Sequence, residues 1–395
     1  MAAEVILIIA LLLLVWTYLL YPAIVLTGAA LKRNRGTGKR DQDDKANLVQ
    51  PYISVIMSVY NEEKVLGEKV LSLTRSDYPH DLAEFIIGSD GSDDGTDMIM
   101  KELAAADSRI RFVHFGERRG KPATLNDLAS MAKGEILTVT DANVIFTAGT
   151  LRHLAQGFRL PDTGLCDATV KPGSSDDRGI TRQENFYGRF ETALKRAEGD
   201  LWGAMPGPYG GCYAIRRNLF PVIPDNTLVD DLYVGLTVLR KGFRSFNVPE
   251  AIVFEDTQAD MAAQFRRRVR IAAGSFQNLF RFGLFPSRRA SACFAFFSHK
   301  ILRWLTPLLL VLLFMTTIIL SGRSEFYLWL SAFQLIFIIL SALDLVADRY
   351  GRKIKYQRYV TQFLLMNAAL AAGFGKAIRG IKSGIWEPTK RVQNE

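Results

Sequence analysis

The feature that most constrains this chain is an uncharged apolar run from Val5 to Leu26. As a helix rising 1.5 Å per residue it spans about 33 Å, enough to cross a hydrocarbon core of about 30 Å. A secretory signal peptide is the competing reading, with Gly28-Ala29-Ala30 as its cleavage site. The run is too long for that, and the residues before it carry Glu4 and neither Lys nor Arg. The basic residues follow, at Lys32, Arg33, Arg35, Lys39 and Arg40. By the positive-inside rule they mark the cytoplasmic side and leave the N-terminus outside. An uncleaved membrane helix is expected over residues 1–31.

The C-terminal part is apolar again. Trp304–Leu320 and Phe326–Val346 read as spans on either side of a short Ser321–Glu325 turn. Val360–Gly375 is shorter and contains Gln362 and Asn367. Arg349, Arg352, Lys353, Lys355 and Arg358 precede it, and Lys376, Arg379, Lys382, Lys390 and Arg391 follow. A complete span there would break the positive-inside rule, so a re-entrant or interfacial segment with the C-terminus inside is expected. Charged residues still make up 23% of the chain, and they concentrate between these ends. The reading is therefore a polar linker over 32–50, a soluble domain over 51–260, amphipathic interfacial helices over 261–303, and a C-terminal membrane region and tail over 304–395. The net charge of +9 sits beside the membrane segments and in one Arg cluster. Anionic lipid or a diphosphate ligand accounts for it without nucleic acid. Cys166, Cys212 and Cys293 show neither paired nor metal-ligand spacing and suit a reducing compartment.

Within the soluble part, Tyr52–Val59, Phe85–Ser89, Ile110–His114 and Glu135–Thr140 are short runs rich in strand formers. Helix-like stretches near Lys64–Leu73, Asp97–Ala106 and Pro122–Met131 separate them. This alternation predicts βαβ units and a parallel sheet, whose ligands bind beyond the carboxyl ends of the strands. Those ends read Ser58-Val59-Tyr60-Asn61-Glu62, Ser89-Asp90-Gly91-Ser92-Asp93-Asp94-Gly95-Thr96 and Thr140-Asp141-Ala142-Asn143. One Asp-Gly-Ser alone is better read as a turn; the convergence of three such ends on one rim is the signal. Asp90 suits a base or ribose, and Asp141 suits Mg²⁺ or Mn²⁺ through oxygen ligands. No Gly-x-Gly-x-x-Gly follows the first strand and no Walker loop occurs. A nucleotide site without those loops points to a metal-held diphosphate. His80, His114 and His153 are scattered, which disfavours a histidine-based metal site.

The segments "SVIMSVYNEE", "GSDGSDDGT", "GKPATLN", "VTDANVIF", "VDDLYVGLTVLRKGF" and "QFRRRVRIAAG" together resemble glycosyltransferase family 2, the group that includes cellulose, chitin and hyaluronan synthases. The likeness runs in order from about Tyr52 to Gln277, which is more specific than any one motif. It implies an α/β fold of the GT-A type, a Rossmann-like, mixed, mainly parallel sheet, flanked here by transmembrane helices. It places the family's metal-binding Asp-x-Asp on Asp141 and Asn143, with Asn replacing the second Asp. The nucleotide-binding positions fall on Tyr60, Glu62 and Asp90, with Ser58, Gly91 and Lys121 as further donor contacts. The catalytic base falls on Asp231; the plainer reading is that Asp230 and Asp231 cap the helix running to Leu239. Gln264 and Arg267 match the Gln-x-x-Arg-Trp motif of processive members, but Arg268 stands where Trp is expected. By the same likeness Gln264 and Arg267 are donor-site residues, Arg267 reaching the diphosphate, whereas Arg266 and Arg270 are read as a basic interfacial face on anionic lipid. His299–Trp304 resembles the interface anchor before a C-terminal span, and Trp386-Glu387-Pro388-Thr389 resembles the tail of such relatives.

The resemblance implies a membrane-bound inverting glycosyltransferase using a nucleotide diphosphate sugar, expected to be a UDP-sugar. The acceptor would be a lipid-linked saccharide or a polysaccharide, in exopolysaccharide or cell-envelope biosynthesis. The expected location is a bacterial plasma membrane, multi-pass, with the catalytic domain cytoplasmic. A processive synthase that secretes its product is the nearest alternative, and a catalytically dead membrane scaffold is the rival from another class. A transporter is disfavoured by the few spans and by the lack of intramembrane charge pairs.

Overall fold

The computed structural model describes residues 1–35, 50–173, 180–255, 261–350 and 357–385. Most of the expected 32–50 linker, the basic loop at Arg352, Lys353 and Lys355, and Trp386-Glu387-Pro388-Thr389 with Lys390 and Arg391 lie outside the described residues.

In chain order the elements begin with α1 (Ala2–Asn34), β1 (Ile53–Val59), α2 (Glu63–Thr74), β2 (Ala83–Asp90), α3 (Thr96–Ala106), β3 (Ile110–Phe115), α4 (Lys121–Met131) and β4 (Ile136–Thr140). There follow β5 (Val144–Phe146), α5 (Thr150–Gln156), β6 (Thr163–Pro172), α6 (Ile180–Trp202), β7 (Cys212–Arg216), α7 (Asp230–Arg240) and β8 (Arg244–Glu255). The chain continues through α8 (Met261–Phe282), α9 (Ala290–Trp304), α10 (Thr306–Leu320), α11 (Glu325–Arg349) and α12 (Gln357–Ile378).

β1 and β2 are apolar along almost their whole length because both faces of the sheet are covered by helices. The eight strands form one sheet in the order β3-β2-β1-β4-β7-β6-β8-β5. β3, β2, β1 and β4 are mutually parallel, as the alternating pattern predicts. β7 then runs antiparallel to β4 and β6, and β5 antiparallel to β8. One face packs Leu66, Val70, Met100 and Leu151 from α2, α3 and α5, and the other packs Leu125, Leu128, Val234 and Val238 from α4 and α7. The helical period turns Leu232 and Leu236 of α7 the other way, onto Phe276, Phe296 and Trp304 of α8 and α9. The start of α7 is thus wedged between the sheet and the membrane-proximal helices.

Among the described residues, Ala2–Asn34 and Glu325–Asp348 are long and apolar enough to cross a membrane. Trp304–Leu320, expected as one span, is divided. Leu305 interrupts the helix, Pro307 sits in the first turn of α10, and α9 meets α10 at 57°. α10 alone covers only about 22 Å. Its junction is a broken span or a re-entrant turn.

Two buried ionic clusters fasten these helices, and both depart from the sequence reading. His299 is buried, not an exposed interface anchor: its ring nitrogens face Glu198 at 2.9 Å and Glu191 at 3.1 Å, and Lys300 and Arg303 each lie 2.6 Å from Glu191. Tyr21 of α1 donates to the same Glu198, so three separate elements are tied at one point. In α11, Asp344 is fully buried 3.8 Å from Arg358 of α12, a charge pair within a candidate span where none was expected. α12 crosses α8 closely at Gly373, where a Cβ would stand 2.4 Å from that of Ala272. The chain beyond α12 returns to the part of the molecule that carries the sheet. Asn226 donates its side-chain amide to the Ile381 carbonyl at 2.9 Å, and Ile385 lies against Gly120.

Candidate active site

The first two strand ends are stitched into one platform. Asn61 adopts φ +54, a left-handed conformation that Asn tolerates better than most residues. Its side chain donates to Asp93 Oδ1 at 2.6 Å and accepts from the Asp93 N–H at 3.0 Å. The Glu62 N–H is held by Thr96 Oγ1 at 2.9 Å. This fixes the turn presenting Tyr60, over whose ring the Arg118 guanidinium stacks at 3.8 Å. Ser58 lies just below, half-buried, paired in register with Gly88.

Asp90 ends β2 and organises the next segment. Its Oδ1 accepts from the Arg119 N–H at 2.9 Å and the Thr124 hydroxyl at 3.1 Å, and its Oδ2 from the Gly120 N–H at 2.8 Å. Three of about four acceptor positions on the carboxylate are therefore used within the fold. Gly91 beside it has φ +71, and any Cβ there would meet the Arg118 backbone nitrogen at 2.7 Å. The glycine lets the two loops touch and sets where α4 starts, and α4 starts with Lys121.

Lys121 is the centre of charge. Its Nζ stands 2.8 Å from Asp141 Oδ1, at the end of β4, and 3.6 Å from Asp230 Oδ2, at the start of α7. Burial works against its charge, but Asp141, Asp230 and Asp231 more than reverse this and hold its pKa above the usual lysine range. Burial and the neighbouring Asp230 charge push Asp231 up to about 6, against the pull of Lys121. Neither aspartate occupies the cap position of α7, which is Val229 with no side-chain cap bond of its own. Asp231 Oδ1 instead accepts from the adjacent Leu232 N–H at 2.8 Å. Asp231 thus satisfies one first-turn N–H from inside the helix rather than from the cap position.

Asn143 donates its amide to Glu255 Oε1 at 3.0 Å, which leaves the carbonyl as its oxygen donor. Glu255 ends β8 and also accepts from the Tyr209 hydroxyl. Arg267 of α8 reaches the same carboxylate at 3.8 Å. Gln264, one turn earlier, lines a crevice between α8 and α12 with Thr361 and Leu365.

Three contributors went unread in the sequence. Lys69 of α2 is fully buried; it donates to Thr140 Oγ1 at 2.9 Å and to the Val144 carbonyl, bracketing the Asp141–Asn143 loop from behind. Burial pushes its pKa down to about 7. Arg270, read as facing lipid, lies in the field of Asp230, Asp141 and Asp231, and burial lowers its pKa. The Tyr209-Gly210-Gly211 turn separates the two acidic ends. The Gly211 carbonyl accepts from the Asp141 N–H at 3.1 Å, and a Cβ on Gly210 would stand 2.8 Å from Asp231 Oδ2. The clustered Gly and Pro of residues 206–211, just before a strand, was the available signal.

Residues 54–223 match Glycosyl transferase family 2, and residues 182–343 match Glycosyl transferase family group 2. The chain is 22% identical over 243 residues to an N-acetylglucosaminyltransferase of Rhizobium meliloti, covering 58% of this chain and 57% of that one. It is 28% identical over 244 residues to the beta-monoglucosyldiacylglycerol synthase of Synechocystis, covering 59% of this chain and 50% of that one. The chain thus spans little more than half the length of these curated relatives. Among solved structures, the mannosyltransferase PcManGT from Pyrobaculum calidifontis, in complex with GDP-Man and Mn²⁺, superposes with a TM-score of 0.66. That likeness covers 94% of this chain and 99% of the other at 22% identity, and it shows the expected GT-A fold. With two overlapping stretches that together run from residue 54 to residue 343 matching the models of this family and its group, the chain belongs to glycosyltransferase family 2.

Proposed function

We propose that this protein transfers a sugar, with inversion, from a nucleoside diphosphate donor to a hydroxyl of a lipid-linked saccharide or polysaccharide, at the cytoplasmic face of a bacterial plasma membrane. The observation that carries the reading is the gathering of Asp141, Asp230 and Asp231 around one largely buried ammonium, Lys121, at the strand-end rim. Tyr60 offers a stacking face for a base, and Asp90 keeps one acceptor position for its edge or for the ribose. Arg267 and Lys121 supply cationic groups for a diphosphate. UDP is the nucleotide favoured by the family resemblance. The names of two relatives, an N-acetylglucosaminyltransferase and a glucosyldiacylglycerol synthase, support a saccharide or lipid acceptor.

Asp231 is the proposed general base. Its raised pKa leaves it ionised at neutral pH yet basic enough to take the proton of the attacking hydroxyl. The acceptor oxygen forms its bond to the anomeric carbon as the bond to the diphosphate oxygen breaks. A single displacement inverts that centre.

A divalent ion fits the donors present. Asp141 and the Asn143 carbonyl are hard oxygen ligands of the kind Mg²⁺ and Mn²⁺ prefer. Among the described residues no three His, Cys, Asp or Glu side chains converge to hold an ion by themselves. Asp141 and Asn143 would therefore share it with the donor diphosphate, whose departing charge it would neutralise. The solved relative PcManGT, bound to Mn²⁺, supports the same reading. Incubating the purified full chain with a panel of nucleotide sugars and measuring released nucleoside diphosphate tests the proposal. Turnover of one donor, lost in Asp231→Asn, is expected; no turnover with any donor and acceptor lipid extract sinks it and favours the scaffold.

A further inference from the structure

A cavity of about 850 Å³ opens on the side of the molecule where α1 leaves the membrane. Arg33 of α1, Lys171 at the end of β6, and Arg189 and Arg196 of α6 all line it. The one carboxylate among its described lining residues, Asp200, lies 3.9 Å from Arg196. Its wall is therefore strongly cationic. The opposite quality appears along α1: Leu26 lines the same cavity, about 10 Å deeper than Arg33 along the helix axis. Because α1 is a candidate span with Arg33 in its last turn, the charge lies at headgroup depth and the apolar wall descends toward the hydrocarbon.

We infer that this cavity holds the phosphate headgroup of an anionic lipid. A soluble sugar phosphate has no use for the Leu26 wall, and a neutral lipid has no use for four cations. Guanidinium groups match phosphate oxygens in pairs, and three of the four cations are arginines. The cavity also touches the candidate active site through one strand. Phe254 lines it, and the next residue, Glu255, accepts from Asn143 and Tyr209. Two sources share the chemistry: a phospholipid of the bilayer, or the phosphate of a lipid-linked acceptor. The site itself does not depend on the transferase reading; only the acceptor source rests on it.

Native mass spectrometry of the detergent-purified full chain measures the binding directly. The probes are phosphatidylglycerol, a long-chain isoprenoid phosphate, diacylglycerol and inorganic phosphate. The two phosphate lipids are expected to bind at least about 10-fold more tightly than diacylglycerol, and Lys171→Gln with Arg189→Gln to erase that preference. The double variant should melt and bind nucleotide as the unmodified chain does, since neither side chain lies in the Lys121 cluster. If the isoprenoid phosphate alone competes with the sugar acceptor in transfer assays, the source is the acceptor. If phosphatidylglycerol binds and changes the rate without being consumed, the source is the bilayer. Equal binding of diacylglycerol, full competition by inorganic phosphate, or undiminished affinity in the double variant would each overturn the inference. Because binding is read without turnover, its failure leaves the transferase proposal standing, and the reverse also holds.

Discussion

Lys69 Nζ lies 2.9 Å from Thr140 Oγ1, so an ammonium fully enclosed in the core holds the residue preceding Asp141. The same group reaches the Val144 carbonyl on the far side of the loop. The acidic loop proposed to face a diphosphate is thereby fixed from beneath.

Lys69→Met keeps the volume and removes the tie. A buried charge exchanged for an apolar side chain is often near neutral for stability, so the melting temperature should shift little while kcat falls by about 10-fold or more, the cost of a misplaced catalytic group. The pH dependence of unfolding should also change. With its pKa near 7 in the fold and 10.5 ordinarily, Lys69 binds fewer protons in the folded than in the unfolded state across that window. Its contribution therefore makes stability rise with pH from about 7 to about 10.5. Urea unfolding at several pH values should show this slope in the unmodified chain and lose it in Lys69→Met.

Asp231→Asn removes the proton acceptor and keeps the shape. Transfer should fall by roughly 10²–10⁴-fold with nucleotide affinity nearly unchanged. Because burial and Asp230 raise Asp231 to about 6, the unmodified enzyme should gain activity as pH rises through about 6. A variant of near-normal rate that still binds nucleotide would move the base to Asp230.

The first half of the sheet was legible because β1 to β4 are short runs rich in strand formers that alternate with helices, a pattern local in sequence. The second half was not. β7 is antiparallel, β6 and β8 meet across some eighty residues, and register there is set by partners rather than periodicity. The motif-bearing residues Tyr60, Asp90, Lys121, Asp141 and Asp231 could be named because each sits in a short signature. Lys69 sits in no signature, and a lysine on α2 reads as a solvated face until the sheet closes over it; Arg270 sits in one, but among four arginines whose helix reads as a basic interfacial face. The break at Leu305 was written in Thr306-Pro307, but the surrounding apolar residues masked it.

Gly210→Ala tests how tightly Asp231 is placed. A methyl group would meet Oδ2 at 2.8 Å, and the carboxylate, as the end of a side chain, is the part that yields. Activity should drop about 10-fold or more with little change in stability or donor affinity. An unchanged kcat would show that the Asp231 position is not critical.

Asn143→Asp sets a carboxylate against Glu255, where an amide now donates at 3.0 Å. Without a divalent ion the two like charges should lower the melting temperature. Added Mn²⁺ should restore it and shift it further than in the unmodified chain. Activity in both proteins should be lost to excess chelator. A melting curve of Asn143→Asp indifferent to Mn²⁺ would remove residue 143 from the metal site.

The contact of Ile385 with Gly120 has a consequence in time. The N–H of Gly120 anchors on Asp90, and Lys121 follows directly, so a residue beyond α12 rests against a loop laid down more than two hundred positions earlier. During synthesis that contact cannot form until α1 and α9 to α12 have been made and the chain beyond α12 has turned back. A nascent chain halted at α11 would have its sheet and its carboxylates but would lack this contact beside Lys121, so the proposed donor site should be complete only once α12 has been made and placed.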